Sequence, residues 1–490
     1  MSDAGVAVSM PCGGMGRCGK CVISFTKGAP EAGSTDRNFL SEAELDAGKR
    51  ILCRCIVDRD CEIVIDGSGA ASEEDIYALG AEEAGSKENF KRKYIAVDLG
   101  TTTIVAALVG IGNDGRGIIL RTASCVNHQR EYGADVISRI SAAANEDGAK
   151  RLTDTVRADI KRMADELSGA DEIIRIYVAG NTTMLYLLLG YDVSELGKYP
   201  YKAEHLELQR QSFQEPFFKS EIVTLPGISA FVGADIVSGI YYLDMWADKS
   251  KKILFLDLGT NGEMAFWDGV KLNVTSTAAG PVFEGGGITC GVASVPGAIS
   301  HVTISNGKTS FETIGNRPPI GLCGTGVMEA VSELVRNGIV DENGLLSDEY
   351  FEEGYVICSS AESSGLSEKI RVTAQDVRNV QLAKAAIRTG IDKITAGREP
   401  DIVFVAGGFG TNIDAEKIKS LSLFPDSFVG KIKAVGNTCL KGLTKIIEKE
   451  AAGGVEESIS ALYDIARGAK EIVLAEENDF GESYIKALSF

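Results

Sequence analysis

No stretch of the 490 residues approaches the roughly 20 apolar positions that a membrane-spanning helix needs. The N-terminal MSDAGVAVSM has no basic segment ahead of an apolar one, so it is not read as a signal peptide. Positive charge is in short supply: 50 Lys and Arg against 69 Asp and Glu leave a formal net charge of −19. That balance argues against nucleic acid as a partner and against an anionic membrane face. Histidine is scarce, with three in the chain and none near the cysteine-rich N-terminus. Cytoplasmic residence is the expectation. In that compartment the eleven cysteines are thiols or metal ligands, not disulfides.

What is present suits a chain of two to four domains. Apolar residues make up 44%, enough for ordinary cores, and 56 glycines without a short period point to turns and ligand loops. Residues 1–68 form a small cysteine-dense unit closed by the expected strand CEIVID (Cys61 to Asp66). Residues 69–92, rich in Gly, Ala, Ser and Glu, read as a linker. From Lys93 strands and helices alternate as in α/β proteins. RIYVAG (Arg175 to Gly180) and DIVFVA (Asp401 to Ala406) are buried strands, and FVGADIVSGIYYL (Phe231 to Leu243) is a loop entering a helix. The clearest helix starts near Thr373, where Thr373 and Asp376 resemble a capping box, and Gly390 is a candidate for its end. A seam near residues 245 to 252 divides the body into lobes of 93–250 and 251–490.

The segment IAVDLGTTTIV (Ile95 to Val105) returns as ILFLDLGTNGE (Ile253 to Glu263). An apolar strand running into Asp-Leu-Gly-Thr is a phosphate-handling turn: glycine allows close approach of backbone N–H donors, and threonine adds a hydroxyl. Gly100, Thr101, Thr102 and Thr103 form the first turn, and Gly259, Thr260 and Asn261 the second. Asp98 and Asp257 stand at the strand ends, where a carboxylate can hold hydrated magnesium. Gly407 and Gly408, after the strand ending at Ala406, let backbone lie against a flat adenine or ribose. This order resembles the ATPase superfamily of sugar kinases, heat-shock ATPases and actin. The resemblance implies a connecting helix starting near Gly233, with Asp235 as candidate base orienting the attacking water; the alternative is a helix N-cap carboxylate. It also implies that one helix face flanks adenosine, which nominates Lys384 and Arg388; the alternative is a solvated face.

PCGGMGRCGKC (Pro11 to Cys21) spaces Cys12, Cys18 and Cys21 as C-x5-C-x2-C, with four glycines between them. Glycines there bring backbone N–H groups toward sulfide and stabilise its negative charge. Zinc is the rival, since C-x2-C is a common zinc spacing. Zinc sites, however, bring a second close pair, and CRC (Cys53 to Cys55) has one residue between its thiols. The fourth ligand is Cys53 or Cys55. Resemblance to ferredoxins, in which this ligand follows a short apolar stretch, favours Cys53; Cys61 is a weaker candidate. Cys125, Cys290, Cys323, Cys358 and Cys439 are scattered and are taken as core thiols. A plant-type cluster, near ~−400 mV, makes the unit a low-potential one-electron carrier.

Taken together, PCGGMGRCGKC, YGADVISRI (Tyr132 to Ile140), AGNTTMLYLLLG (Ala179 to Gly190), FVGADIVSGI, LDLGTNGEM, AGPVFEGGGITCG (Ala279 to Gly291), GLCGTGVMEAV (Gly321 to Val331), QLAKAAIRTGI, AGGFG and VGNTCLKG (Val435 to Gly442) resemble the ATP-dependent reductive activators of corrinoid proteins over nearly the whole chain. The resemblance implies an α/β fold: a duplicated actin-like, ribonuclease H-like ATPase core of two lobes behind a small β-grasp ferredoxin-like domain. It implies a 2Fe–2S cluster, ATP and magnesium as cofactors. The implied partners are a corrinoid protein, either methyltransferase-associated or a corrinoid iron–sulfur protein, and a low-potential electron donor, with a homodimer as the assembly. Such proteins return Co(II) corrinoid to Co(I), an uphill transfer in which each ~59 mV is about 1.4 kcal/mol. ATP binding or hydrolysis is implied to change how the partner's cobalt is coordinated. One departure is that only eleven residues precede Cys12, where family members begin with a β-hairpin, so the ferredoxin-like domain is expected to be trimmed or the start to be placed late. Other readings keep the same parts: an ATP-gated activator of a dehydratase or radical enzyme, or an ATP-binding redox sensor. Dehydratase activators hold a cluster between two subunits and lack an N-terminal ferredoxin. A small-molecule kinase needs a sugar pocket with a base, and none is identifiable.

Overall fold

The computed structural model describes residues 22–57, 60–64, 90–213, 218, 220–359, 369–411 and 413–490. The Cys12, Cys18 and Cys21 turn and most of the expected linker therefore lie outside the described residues. By compactness the chain divides into two units, Met1–Leu225 with Ile446–Val455, and Pro226–Lys445 with Glu456–Phe490.

In the head, strands β1 (Val22–Lys27), β2 (Lys49–Ile51) and β3 (Glu62–Val64) form an antiparallel sheet in the order β2-β1-β3. Period-two alternation turns Ile23 and Phe25 inward. Between β1 and β2 run helices α1 (Ser34–Phe39) and α2 (Glu42–Asp46). Leu40, Leu45 and Ile51 pack together there. The buried Asp36 carboxylate accepts from Gly33 N and Ile51 N, both at 2.7 Å. Buried Arg50 donates to the carbonyls of Pro30 and Leu45, each at 2.9 Å. Together these bonds anchor the Arg-Ile-Leu stretch that delivers Cys53.

The rest of the first unit is built on a sheet of strands β4 (Lys93–Leu99), β5 (Thr103–Ile111), β6 (Gly117–Val126), β7 (Arg175–Gly180), β8 (Gln209–Gln211) and β9 (Glu221–Thr224), in the order β6-β5-β4-β7-β9-β8. β4, β5 and β6 form an antiparallel meander, and β7 and β9 add in parallel on the other side of β4. Three helices follow the chain: α3 (Val136–Ala142), α4 (Glu146–Ser168) and α5 (Thr182–Leu189). Leu152, Val156, Ile160, Met163 and Leu167 make the buried stripe of α4 at helical spacing. Asn145 caps its start by accepting from Gly148 N.

In the second unit α6 (Ala234–Leu243) precedes β10 (Ile253–Leu258), β11 (Gly262–Trp267) and β12 (Leu272–Thr277). Then come β13 (Ala298–Ser305), β14 (Lys308–Thr313), β15 (Gly321–Leu322), α7 (Gly324–Arg336), β16 (Tyr355–Cys358), β17 (Ile370–Val372) and α8 (Ala374–Thr395). The chain ends through β18 (Ile402–Ala406), α9 (Gly407–Thr411), α10 (Asp426–Val429), β19 (Ile432–Gly436), α11 (Thr438–Ala451), α12 (Val455–Gly468) and β20 (Ala469–Glu471). The large sheet has the order β19-β18-β10-β11-β12-β20. It repeats the first unit's plan: an antiparallel meander, β10 to β12, with β18 and β19 parallel beyond its first strand. The duplication read in the sequence is thus a duplication of topology.

The compact units divide at Leu225 and Pro226, because α6 packs within the second unit: a Cβ on Gly239 would stand 2.8 Å from Phe255, and Ser238 Oγ donates to Cys439 O at 2.8 Å. One detail of α8 differs from expectation. Gly390 does not end α8. The Thr373–Asp376 capping box forms as expected, but the helix runs on to Thr395 and stops at Ala396 in the left-handed region. Gly390 is a close approach instead, since its Cβ would meet Met264 at 2.6 Å and Thr277 at 2.9 Å. The glycines after β18 form the first turn of α9.

α11 begins in the second unit, while residues from Ile446 onward count with the first. There Glu450 pairs with Arg175 and accepts from Tyr177 OH, Glu448 accepts from Gly117 N at 2.8 Å, and Ala451 O accepts from Arg92 at 2.6 Å. Burial, then Glu450, pushes the Tyr177 hydroxyl above its ordinary range.

Candidate nucleotide and cluster sites

The first phosphate turn closes on Gly100 N donating to Thr103 O at 3.1 Å. A Cβ at Gly100 would lie 2.4 Å from that same oxygen, so the turn requires glycine. Three surrounding segments hold it. Asn127 donates its backbone N–H to Thr102 O and its side-chain amide to Gly100 O, both at 2.9 Å. Asn181, the N-cap of α5, donates to Thr101 Oγ1 at 2.7 Å. Arg139 donates to Thr101 O at 2.6 Å. The Thr101 side chain therefore faces inward, whereas Thr102 is half-buried and Thr103 exposed. Asp98 is the next-to-last residue of β4 and half-buried.

The second turn is one residue shorter, with Gly259 N donating to Asn261 O at 3.0 Å. Thr260 Oγ1 donates to Glu284 Oε2 at 2.7 Å. Asp257, next to last in β10, stands opposite Glu263 of β11, and the neighbouring strand β18 sets Ala406 beside it. Gly407, at φ +83°, leaves room where a Cβ would stand 2.6 Å from Leu258 O and 3.0 Å from Asp257 Oδ1. Next to Gly408 there is open space. Asp235 sits in the first turn of α6 behind its Gly233 cap, and its Oδ1 accepts from Ile236 N at 2.8 Å.

Glu263 is the residue that sequence reasoning missed. Burial, then Asp235, then Asp257, raises its carboxyl well above the usual range. Three carboxylates that feel one another in a buried setting fit a divalent cation. Among the described residues no group of three or more His, Cys, Asp or Glu is close enough to bind a metal ion directly. Magnesium keeps several of its waters and takes one or two carboxylates. The hairpin arithmetic from Asp257 through a tight turn to Gly262 was the available signal for Glu263.

Lys384 and Arg388 have partners inside the protein. Lys384 is 1% exposed, donates to Ser489 O and lies 5.4 Å from the Phe490 ring. Burial, then Arg388, lowers its amine to about 8. Arg388 pairs with Asp392 at 3.1 Å and donates to Ser422 O at 3.1 Å.

In the head, Cys53 falls in the 3-10 turn Leu52–Arg54, which Cys55 N closes by donating to Leu52 O at 3.1 Å. The four nominated cysteines are of the donor type that an iron–sulfur cluster takes; Cys12, Cys18 and Cys21 lie outside the described residues. Cys125, Cys323, Cys358 and Cys439 are buried, and Cys290, Cys55 and Cys61 are half-buried.

Among known families, the model described as the C-terminal domain of RACo, the ASKHA domain, matches residues 251–490. The RACo middle region matches 94–248, and the 2Fe-2S iron-sulfur cluster binding domain matches 1–58. The corrinoid activation enzyme RamQ of Eubacterium limosum is 31% identical, covering 83% of this chain and 72% of the relative. The Co(II) methylated amine-specific corrinoid protein reductase of Methanosarcina barkeri is 24% identical over 81% of this chain and 76% of its own. The solved structure of a reductive activator for corrinoid, iron-sulfur protein superposes with a TM-score of 0.73 at 27% identity, covering 100% of this chain and 94% of that one. Among the described residues no helix is long and apolar enough to cross a membrane.

Proposed function

Because the chain belongs to the family of ATP-dependent reductive activators of corrinoid proteins, we propose that it returns an inactive Co(II) corrinoid protein to Co(I), the state that accepts methyl groups. One observation carries this: two glycine turns, each following an apolar strand that bears an aspartate, share a chain with a cysteine-bearing head. When bound, the cluster supplies low-potential one-electron transfer and magnesium–ATP the free energy that an uphill step needs.

The chain's own residues divide the labour as follows. Cys12, Cys18, Cys21 and Cys53 would hold the cluster. Asp98 and Asp257 would take the waters of magnesium, and the turns at Gly100–Thr103 and Gly259–Asn261 would offer backbone N–H groups to phosphate. Thr102 and Thr103 serve phosphate with their side chains; Thr101 serves the turn from behind. Asp235, two residues into α6 and electrostatically coupled to Glu263, is the group proposed to orient water for attack. Gly407 and Gly408 give the flat, side-chain-free surface for adenosine. Lys384 and Arg388 of α8 are the pair proposed to flank adenosine, while one donor of each also reaches a backbone carbonyl, Ser489 O and Ser422 O.

The test is an anaerobic absorbance assay. The chain, reconstituted with iron and sulfide and reduced, is mixed with Co(II) corrinoid proteins of both the methyltransferase-associated and the iron–sulfur kinds. Conversion to Co(I) is expected with ATP and not without it. ATP hydrolysis with no change of cobalt in either kind would falsify the assignment and point to a different acceptor.

A further inference from the structure

Arg139 is a fully buried cation with only neutral acceptors. It is 0% exposed. Its Nη2 donates to Thr101 O at 2.6 Å, Nε to Gly133 O at 2.9 Å, and Nη1 to Gln129 Oε1 at 3.3 Å and to the Met184 sulfur at 2.9 Å. Among the described residues no carboxylate lies within ion-pair distance of it. Burying a charge without a counter-ion is strongly unfavourable. If only a brace were needed, a neutral donor would hold these carbonyls at less cost.

We propose that Arg139 is a positioning residue whose charge serves the first phosphate turn, raising its affinity for the polyphosphate of ATP. This rests on the assignment of Gly100–Thr103 to phosphate. The Thr101 carbonyl that accepts from the guanidinium shares its peptide group with the Thr102 N–H. A cation on the oxygen side of a peptide makes its N–H a stronger donor, as in any polarised hydrogen-bond chain. The guanidinium also stands as a net positive charge behind the turn, in surroundings that screen it little. Burial lowers its pKa to about 10, with Asp135 opposing, so it stays protonated at neutral pH. Asp135 acts on the guanidinium without bonding to it, and an anionic ligand on the far side of the turn adds a second negative charge for it to attract.

The experiment measures affinities of the full chain for ATP, ADP and adenosine by titration calorimetry at fixed magnesium. Arg139→Met is expected to weaken ATP on the order of tenfold, about 1.4 kcal/mol, ADP less, and adenosine within about twofold. Arg139→Lys, which keeps the charge, is expected to restore most of the ATP affinity. Gln129→Glu sets a carboxylate against Nη1, at the loss of the Gln129 Nε2 bond to Leu152 O, and should reproduce the same graded loss; thermal midpoints of both variants show which of them is folded, and the graded loss is read from that one. Equal losses for all three ligands, or no loss in Gln129→Glu, overturn the proposal and leave Arg139 a scaffold residue. Gly100→Ala reports on the underlying assignment. If it leaves ATP binding intact, the turn does not meet phosphate and the proposal falls with it. If it abolishes binding while the Arg139 and Gln129 variants show no graded loss, only the role of Arg139 is lost.

Discussion

Asp257 and Glu263 stand directly opposite each other across the antiparallel pair β10 and β11. Paired residues share one face of a sheet, a few ångströms apart, and Glu263 is only 9% exposed. Two acids so placed repel when both are charged, and burial, Asp235 and Asp257 together push the Glu263 carboxyl upward. A cation is the natural complement of such a pair.

Asp257→Ala should therefore abolish ATP turnover, by on the order of a hundredfold or more, without unfolding the protein. Its removal takes away one source of repulsion on Glu263, so the thermal midpoint of the nucleotide-free protein should not fall. Phosphate release and differential scanning calorimetry check the two halves. Normal turnover in this variant would remove Asp257 from the magnesium site.

Cys53→Ser is expected to lose the cluster and Cys55→Ser to keep it. Iron content and visible absorbance of the anaerobically reconstituted variants give the answer directly. The opposite pattern transfers the fourth ligand to Cys55, whose N–H closes the turn on Leu52.

Lys384 predicts a pH dependence of stability. Its folded value of about 8 lies below the ordinary 10.5. A depressed value means that the contribution is present above 10.5 and is lost as pH falls through about 8. Wild type should accordingly gain on Lys384→Met as pH rises from 8 toward 10. Urea midpoints of both proteins across that range test this, and a constant difference would contradict it.

Gly390→Ala should destabilise by roughly 1–3 kcal/mol, the usual result of overpacking. The added methyl meets Met264 and Thr277 of the adjoining sheet. Met264→Ala in the same chain should recover part of the loss, measured as the shift in urea midpoint. An alanine that stabilises, as it does at an open helix position, would show that the contact relaxes freely.

Local chemistry explains which features were legible. Both glycine turns were legible because an apolar strand, an aspartate and a glycine are contiguous in the chain. The Thr373–Asp376 box was visible for the same reason. Gly390 was misread because its purpose is a neighbour over a hundred residues away, which periodicity along one helix does not register. Arg139, Asn127 and Asn181 come from three separate segments, and only the folded chain sets them around Gly100, Thr101 and Thr102. Thr101 looked like its neighbours in sequence, yet Asn181 draws its hydroxyl inward.

The return of residues 446–455 to the first unit bears on synthesis. A nascent chain emerges N-terminus first, so β7 is made long before its partner in α11. Arg175 and Tyr177 must wait, without Glu450, while more than half of the polypeptide is still being translated. Ribosome-bound chains stopped short of residue 446 should thus leave this patch open to protease, and those released beyond residue 455 should close it.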